Sequence, residues 1–177
     1  MKLFISIELP KETKDILFNL QKSIDKKYAK IKWVAKKNLH ITLKYIGEVS
    51  EETKELVFEK LKNISFSPFV VDLKNINFFY KNNNPTIIYV DFSSKKKLIE
   101  LQQKIDSELL DLFSSDQVFS PHIALGRIKK IKKDGLELSI SKLNDFSITF
   151  PVNDICLVES KTTKDGSRYK LLKKFNK

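Results

Sequence analysis

Cysteine is almost missing from this chain: Cys156, in the apolar run ICLV, is the single one among 177 residues. That excludes an internal disulfide framework, and the thiol is expected to be a small buried hydrophobe. Glycine is scarce and scattered, four in all. There is neither a G-x-x-x-x-G-K-[ST] loop nor a G-x-S-x-G elbow, so an ATP-dependent ligase or a serine hydrolase finds no support. Histidine is scarcer still, with two. Two imidazoles without a cysteine cluster or an H-E-x-x-H spacing lack a recognisable ligand set, so no metal is expected. Long apolar runs are also missing. The opening MKLFISIELP reaches Glu8 and Pro10 too soon for a signal peptide, and no later stretch approaches membrane-spanning length. A soluble, cytoplasmic, monomeric protein with no membrane attachment is expected. Acidic residues are in deficit, 22 against 33 Lys and Arg, for a net charge of +11. Such a field attracts RNA, DNA or a phosphorylated metabolite, although lysine also simply solubilises a surface.

What is present, 41% hydrophobic and 11% aromatic residues, suffices for a packed core in one domain over residues 1–177. Leu3, Ile5, Ile7 and Leu9 alternate with Phe4, Ser6 and Glu8, which predicts a strand ended by Pro10. Residues 11–28 then place Ile16, Leu17, Leu20 and Ile24 at helical spacing. Residues 31–34 form a short apolar stretch and 38–46 alternate as a strand. Ser50 is placed to cap a helix over 51–64. Strands over 69–80 and 86–92 flank the turn-rich KNNNP. A helical pattern over 93–113 precedes another strand. A short helix over 136–143, strand-rich residues 146–160 and a last strand over 168–175, beyond the turn KDGS, complete the chain. The recurring order predicts an α+β architecture of two similar halves with no linker between them.

The two histidines head near-identical strings, NLHITLKYIG around His40 and FSPHIALGRI around His122. Side chains on a strand alternate faces, so His40, Thr42 and Lys44 share one face while Ile41, Leu43 and Tyr45 take the other. In the second string Ser120, His122 and Ala124 oppose Ile123 and Leu125. If the halves pack about a pseudo-twofold axis, both imidazoles face one cleft. Such a pair suits a reaction that removes one proton and supplies another in the same step, and phosphodiester cleavage is one. A lone strand histidine is more often a surface or hydrogen-bonded residue, but the repetition argues against that here.

These strings resemble the paired His-x-Thr-x motifs of the two-histidine (2H) phosphoesterases, specifically the RNA 2′,3′-cyclic phosphodiesterases also called 2′-5′ RNA ligases. The resemblance runs nearly end to end. KLFISIELP is similar to the family's opening strand, KWVAKKNLHITLKYIGEV to its first motif, FSPHIALGRIK to its second and VESKTTKDGSRYKLL to its closing segment. It implies a bilobal fold, each lobe an antiparallel sheet flanked by helices, with RNA ends bound in the cleft between the lobes. It also implies cofactor-free hydrolysis of a 2′,3′-cyclic phosphate to a 2′-phosphomonoester, with weak 2′-5′ ligation as the reverse. By motif order His40 would be the proton donor to the departing 3′ oxygen and His122 the acceptor that activates water.

The departure is Ala124, which removes the second motif's hydroxyl. Ser120 and Lys44 are candidate replacements, because each shares strand parity with a histidine. Arg127 matches a basic residue just after the second motif and is expected to hold a phosphate. Strict alternation puts it opposite His122 unless a bulge near Gly126 redirects it. Tyr169 corresponds to the family's closing tyrosine, and a core tyrosine with a satisfied hydroxyl is an equal reading. Trp33 suits stacking on a base less well than packing. Lysines 95–97 and the basic stretch 129–133 read as solvated faces. Two other functions stay open: a basic RNA- or nucleotide-binding module without useful turnover, for which Ala124 is the only sign, and the same chemistry on a small cyclic nucleotide or a 2′-5′ oligonucleotide.

Overall fold

The computed structural model describes residues 1–115, 118–164 and 166–176. The chain runs β1 (Lys2–Glu8), α1 (Lys11–Ser23), β2 (Ala29–Trp33), a 3-10 turn (Lys36–Asn38) and β3 (His40–Glu48). It continues through α2 (Glu51–Lys62), β4 (Phe69–Lys81), β5 (Asn84–Phe92) and α3 (Lys96–Glu108). The remainder is β6 (Ile123–Ile131), α4 (Leu136–Ser141), β7 (Ile148–Val152), β8 (Asp154–Thr163) and β9 (Gly166–Asn176). The strands form two antiparallel sheets, ordered β3-β1-β8-β9 and β2-β6-β5-β4-β7. The architecture is the expected α+β with two lobes.

The lobes do not coincide with the halves of the chain. The first sheet takes strands from both termini, and the strand-rich stretch 146–160 is two strands, β7 and β8, one in each sheet. The helices are exchanged as well. Although α1 follows β1 of the first sheet, its Gln21 amide bonds to Leu125 of β6 in the second. Although α3 follows β5 of the second sheet, its Asp106 pairs with Lys44 of β3 in the first. Each lobe is therefore braced by a helix from the other half.

Local chemistry explains most boundaries. Ser50 accepts a hydrogen bond from the Thr53 amide at 3.1 Å and caps α2. Asn82 and Asn83 take φ of 49° and 60°, the left-handed pair that a two-residue type I′ hairpin requires between β4 and β5. α1 stops at Ser23 and falls short of residue 28, because Ile24 turns extended and the Asp25 carboxylate accepts from the Lys27 amide at 2.9 Å. α3 begins only at Lys96, because Ser93 is bound back to the Asp72 carbonyl. The last strand starts at Gly166, and residue 165 of the expected KDGS turn lies outside the described residues.

The apolar stripe expected on α1 is also rotated. Ile16 is exposed, and Thr13, Lys14, Leu17 and Gln21 are buried. On β1 both faces are buried, Phe4 and Ser6 included, and Phe4 packs against the rings of His40 and Tyr169. Phe4 there packs with Cys156 and Val158. Cys156 is fully buried, which pushes its thiol up to about 11. Among the described residues no helix is long and apolar enough to cross a membrane.

Candidate active site

His40 opens β3 and His122 immediately precedes β6, so each sheet delivers one imidazole. Both line a single cavity of about 480 Å³ together with Thr42, Ala124, Arg127 and Tyr169. A second cavity, of about 750 Å³, adjoins it: Thr42 and His122 line both. Ser120, Lys44 and Phe79 border that second cavity.

The histidines are held in the same way. His40 Nδ1 donates to the Asn38 carbonyl at 2.6 Å, and His122 Nδ1 donates to the Ser120 carbonyl at 2.7 Å. In each case the acceptor lies two residues upstream. A carbonyl can only accept, so Nδ1 carries a proton in both rings and Nε2 is the nitrogen left to titrate. At His40, Nε2 meets the Thr42 hydroxyl at 2.8 Å. At His122 the corresponding residue is Ala124, and among the described residues Nε2 has no hydrogen-bond partner. Aromatic rings flank each imidazole: Tyr169 and Phe4 at centroid distances of 5.4 and 5.0 Å from His40, Phe79 and Tyr89 at 4.9 and 5.6 Å from His122.

Burial pushes both imidazoles below the ordinary value of 6.5. The carbonyl hydrogen bonds oppose the shift, as do the charges of Glu8 at His40 and Asp91 at His122, without overcoming it. The consequence for stability has a definite sign. The unfolded chain binds these protons more readily, so the contribution is fully present above pH 6.5 and is lost as pH falls through the depressed values.

Matching bulges shape the two strands. Against β1, Lys44 pairs with Ile5 and Thr42 with Ser6, leaving Leu43 extra. Against β5, Gly126 pairs with Ile88 and Ala124 with Tyr89, leaving Leu125 extra. Each bulge falls on the leucine of His-Ile-x-Leu. The bulge at Leu125 carries Arg127 to the cleft side, where it stands opposite Lys32 of β2 and Ile87 of β5. Plain alternation had put it on the other face.

The helix braces meet the strands at these bulges. Gln21 Nε2 donates to the Leu125 carbonyl at 2.8 Å and to the Val34 carbonyl at 2.9 Å. Both amide protons of a buried side chain are thus used, and removing such a donor strands acceptors at a cost of about 1–3 kcal/mol. Lys44, next to the Leu43 bulge, contacts Asp106 at 2.6 Å, with both side chains largely buried. Burial alone would raise the Asp106 carboxyl, but donors from Lys44, Ser115 and Gln102 outweigh it and hold the pKa below the usual range. Lys44 is committed to that carboxylate. Its ammonium therefore braces the fold in place of the missing hydroxyl role suggested by parity.

Ser120 departs from expectation in another respect. It lies before β6, so strand parity does not orient it, and its recorded contact with His122 is through its carbonyl. Trp33 lies against Gly126, where an added Cβ would come within 2.7 Å of the indole and of Ile31. The indole thereby packs on the strand while also lining the cleft. Asn38 escaped the reading of the sequence entirely. Besides orienting His40, its side chain donates to the Ser167 carbonyl at 2.8 Å and so ties down the β9 segment that carries Tyr169. Its signal is position alone, two residues before a histidine. Among the described residues no group of three or more His, Cys, Asp or Glu side chains could hold a metal ion.

Two imidazoles, each fixed through Nδ1 to the carbonyl two residues upstream, are thus brought by the two sheets of a two-lobed α+β fold to one cavity. A family model described as LigT like Phosphoesterase matches residues 7–89 and again residues 90–169, one copy around each histidine string. The chain belongs to this LigT-like family of two-histidine phosphoesterases. Among curated relatives, an RNA 2′,3′-cyclic phosphodiesterase of Methanocaldococcus jannaschii is 32% identical over 99% of this chain and 100% of its own length. The protein of the same name from Archaeoglobus fulgidus is 26% identical over 99% of both. A solved Thermus thermophilus structure covers 99% of this chain and 97% of its own with a TM-score of 0.84 at 23% identity. Escherichia coli LigT complexed with 3′-AMP has the same coverage with a TM-score of 0.79, also at 23% identity. Those structural likenesses show the fold.

Proposed function

We propose that this protein hydrolyses the 2′,3′-cyclic phosphate at an RNA end to a 2′-phosphomonoester, with His40 and His122 as a metal-independent acid-base pair. The observation that carries the reading is the matched histidine geometry: each Nδ1 is occupied by a carbonyl, each Nε2 is the nitrogen left to titrate, and both rings line one cavity. His122 Nε2 is unobstructed among the described residues, which suits a base that takes a proton from water. His40 Nε2 faces the Thr42 hydroxyl; with substrate bound, the protonated ring gives its Nε2 proton to the departing 3′ oxygen while that hydroxyl donates to the phosphate. Arg127 is the phosphate-holding cation and Tyr169 walls the same cavity. The names of the full-length relatives support the substrate, and the basic charge supports an RNA partner. The fit of one chain around both histidines supports a single catalytic unit acting as a monomer.

The direct assay is incubation of an RNA bearing a 2′,3′-cyclic phosphate in excess chelator. The expected product is a 2′-phosphate at an undiminished rate; inhibition by chelator or a 3′-phosphate product would refute the mechanism. The pH profile provides a second check. Activity needs His40 protonated while His122 is neutral, and burial depresses both rings. The optimum of kcat/KM is therefore expected below pH 6.5. A bound phosphate anion favours imidazolium, so the kcat optimum should lie at higher pH than that of kcat/KM. A kcat/KM optimum above pH 7.5 or so would contradict the protonation states assigned here.

A further inference from the structure

The charge pattern on the β2–β6 ribbon has no role in the acid-base chemistry. There Lys32 stands opposite Arg127 and Lys30 opposite Lys130, and all four are exposed. Cross-strand partners share a face, so these cations line one side of the ribbon. Lys32 and Arg127 line the cleft, with Lys129 beside them. Lys30 and Lys130 form the next rung, about 6.6 Å farther on at about 3.3 Å per residue. The ladder leads outward from the catalytic pair, in steps comparable to the reach between successive phosphates of an extended single strand.

Like charges directly opposite one another destabilise a sheet. Two consecutive rungs of this kind receive no compensation from carboxylates: among the described residues none forms a salt bridge with Lys30, Lys32, Arg127, Lys129 or Lys130. Edge strands carry lysine to block pairing with other chains, and β2 is an edge strand. That accounts for Lys30 and Lys32 only. Arg127 and Lys130 sit on β6, which lies between β2 and β5 inside the sheet.

We infer that the β2–β6 ribbon is a backbone track for single-stranded RNA, holding the phosphates of the nucleotides that precede the cyclic end. Lys32, beside the Arg127 that holds the reacting phosphate, takes the nearer of these phosphates and the Lys30–Lys130 rung the next. This rests on the proposed reaction for which end occupies the cleft, and it extends the recognised substrate from a terminal nucleotide to an oligonucleotide. Contacts of this kind read phosphate and ignore base identity. They also release counterions, with a salt slope of about 0.7 per phosphate for single strands.

The test uses the double variant Lys30→Thr/Lys130→Thr, threonine being compatible with a strand. Three quantities are compared with the parent: the affinity of a 5′-fluorescent RNA heptamer ending in a 2′-phosphate across a salt series, the KM for uridine 2′,3′-cyclic phosphate, and the Tm. Heptamer affinity should fall about ten-fold, with a log–log salt slope shallower by roughly 1.4. The mononucleotide, too short to reach the outer rung, should keep its KM within about two-fold, and the Tm should rise by about 1–3 °C as like-charge repulsion is relieved. An unchanged heptamer affinity and slope would overturn the track, as would equal losses for heptamer and mononucleotide. If the parent turns over neither uridine 2′,3′-cyclic phosphate nor an RNA ending in a 2′,3′-cyclic phosphate while heptamer binding still depends on this rung, the track stands and the proposed reaction falls.

Discussion

Replacing either His40 or His122 by alanine is expected to lower turnover by about 10²–10⁴-fold, the range that one positioned acid or base supplies. Both rings are half-buried, and each is fixed to its own backbone through Nδ1. The replaced side chain leaves one carbonyl without a donor, at a site open to solvent through the cleft, so the fold should survive. The losses should be strongly non-additive, because removing one member of a concerted pair already disables the step that needs both. A double variant no worse than about ten-fold below the weaker single variant would fit this account; fully multiplicative losses would mean that the histidines act independently.

Thr42 is the next largest contributor. Its hydroxyl contacts His40 Nε2 and lines both cavities. The corresponding position at the other histidine is Ala124, and Lys44 is bound to Asp106, so neither duplicates that hydroxyl. Thr42→Ala should therefore cost about ten- to a hundred-fold in kcat/KM, the value of one hydrogen bond to a charged group at roughly 1.5–3 kcal/mol. The opposite experiment, Ala124→Thr, should give up to about a ten-fold gain, from roughly 1.4 kcal/mol of added transition-state stabilisation. Steady-state kinetics on the same cyclic-phosphate RNA reads both. A harmless Thr42→Ala would remove hydroxyl donation from the mechanism, and an unchanged Ala124→Thr would mean that another group already serves the second position.

The two strands and their histidines were legible because alternation is local and the repeated string fixes its own register. Leu43 and Leu125 show where legibility stops. A bulge is a property of paired strands, and nothing in His-Ile-x-Leu states that its leucine will be left over when β1 and β5 pair alongside. The side on which Arg127 emerges depends on that one extra residue. The face that α1 buries departs from its apolar spacing for a related reason. Gln21 sits between Leu17 and Ile24 on one stripe and is buried, because its amide serves two carbonyls of the opposite lobe. A glutamine inside an apolar stripe was the available signal, but its partners lie far away in sequence. Asn38 and Ser120 orient the imidazoles through carbonyls, which every residue possesses, so their side chains could not announce it.

The charge ladder was hidden in the same way. The basic stretch 129–133 reads from the sequence as a solvated face, and only strand register sets Lys30 beside Lys130 and Lys32 beside Arg127. The interleaving of the lobes is likewise a matter of topology. The strings around His40 and His122 lie in different halves, and each is braced at its bulge by a helix from the other half.

The division of labour between the histidines is tested most directly with a cyclic-phosphate RNA whose bridging 3′ oxygen is replaced by sulfur. A thiolate leaves without being protonated, so the substrate dispenses with the acid and still needs the base. His40→Ala should recover most of the parent's rate on this substrate while His122→Ala stays as impaired as on the oxygen substrate. Rescue of His122→Ala in place of His40→Ala would reverse the assigned roles, and rescue of neither would contradict acid-base catalysis by this pair.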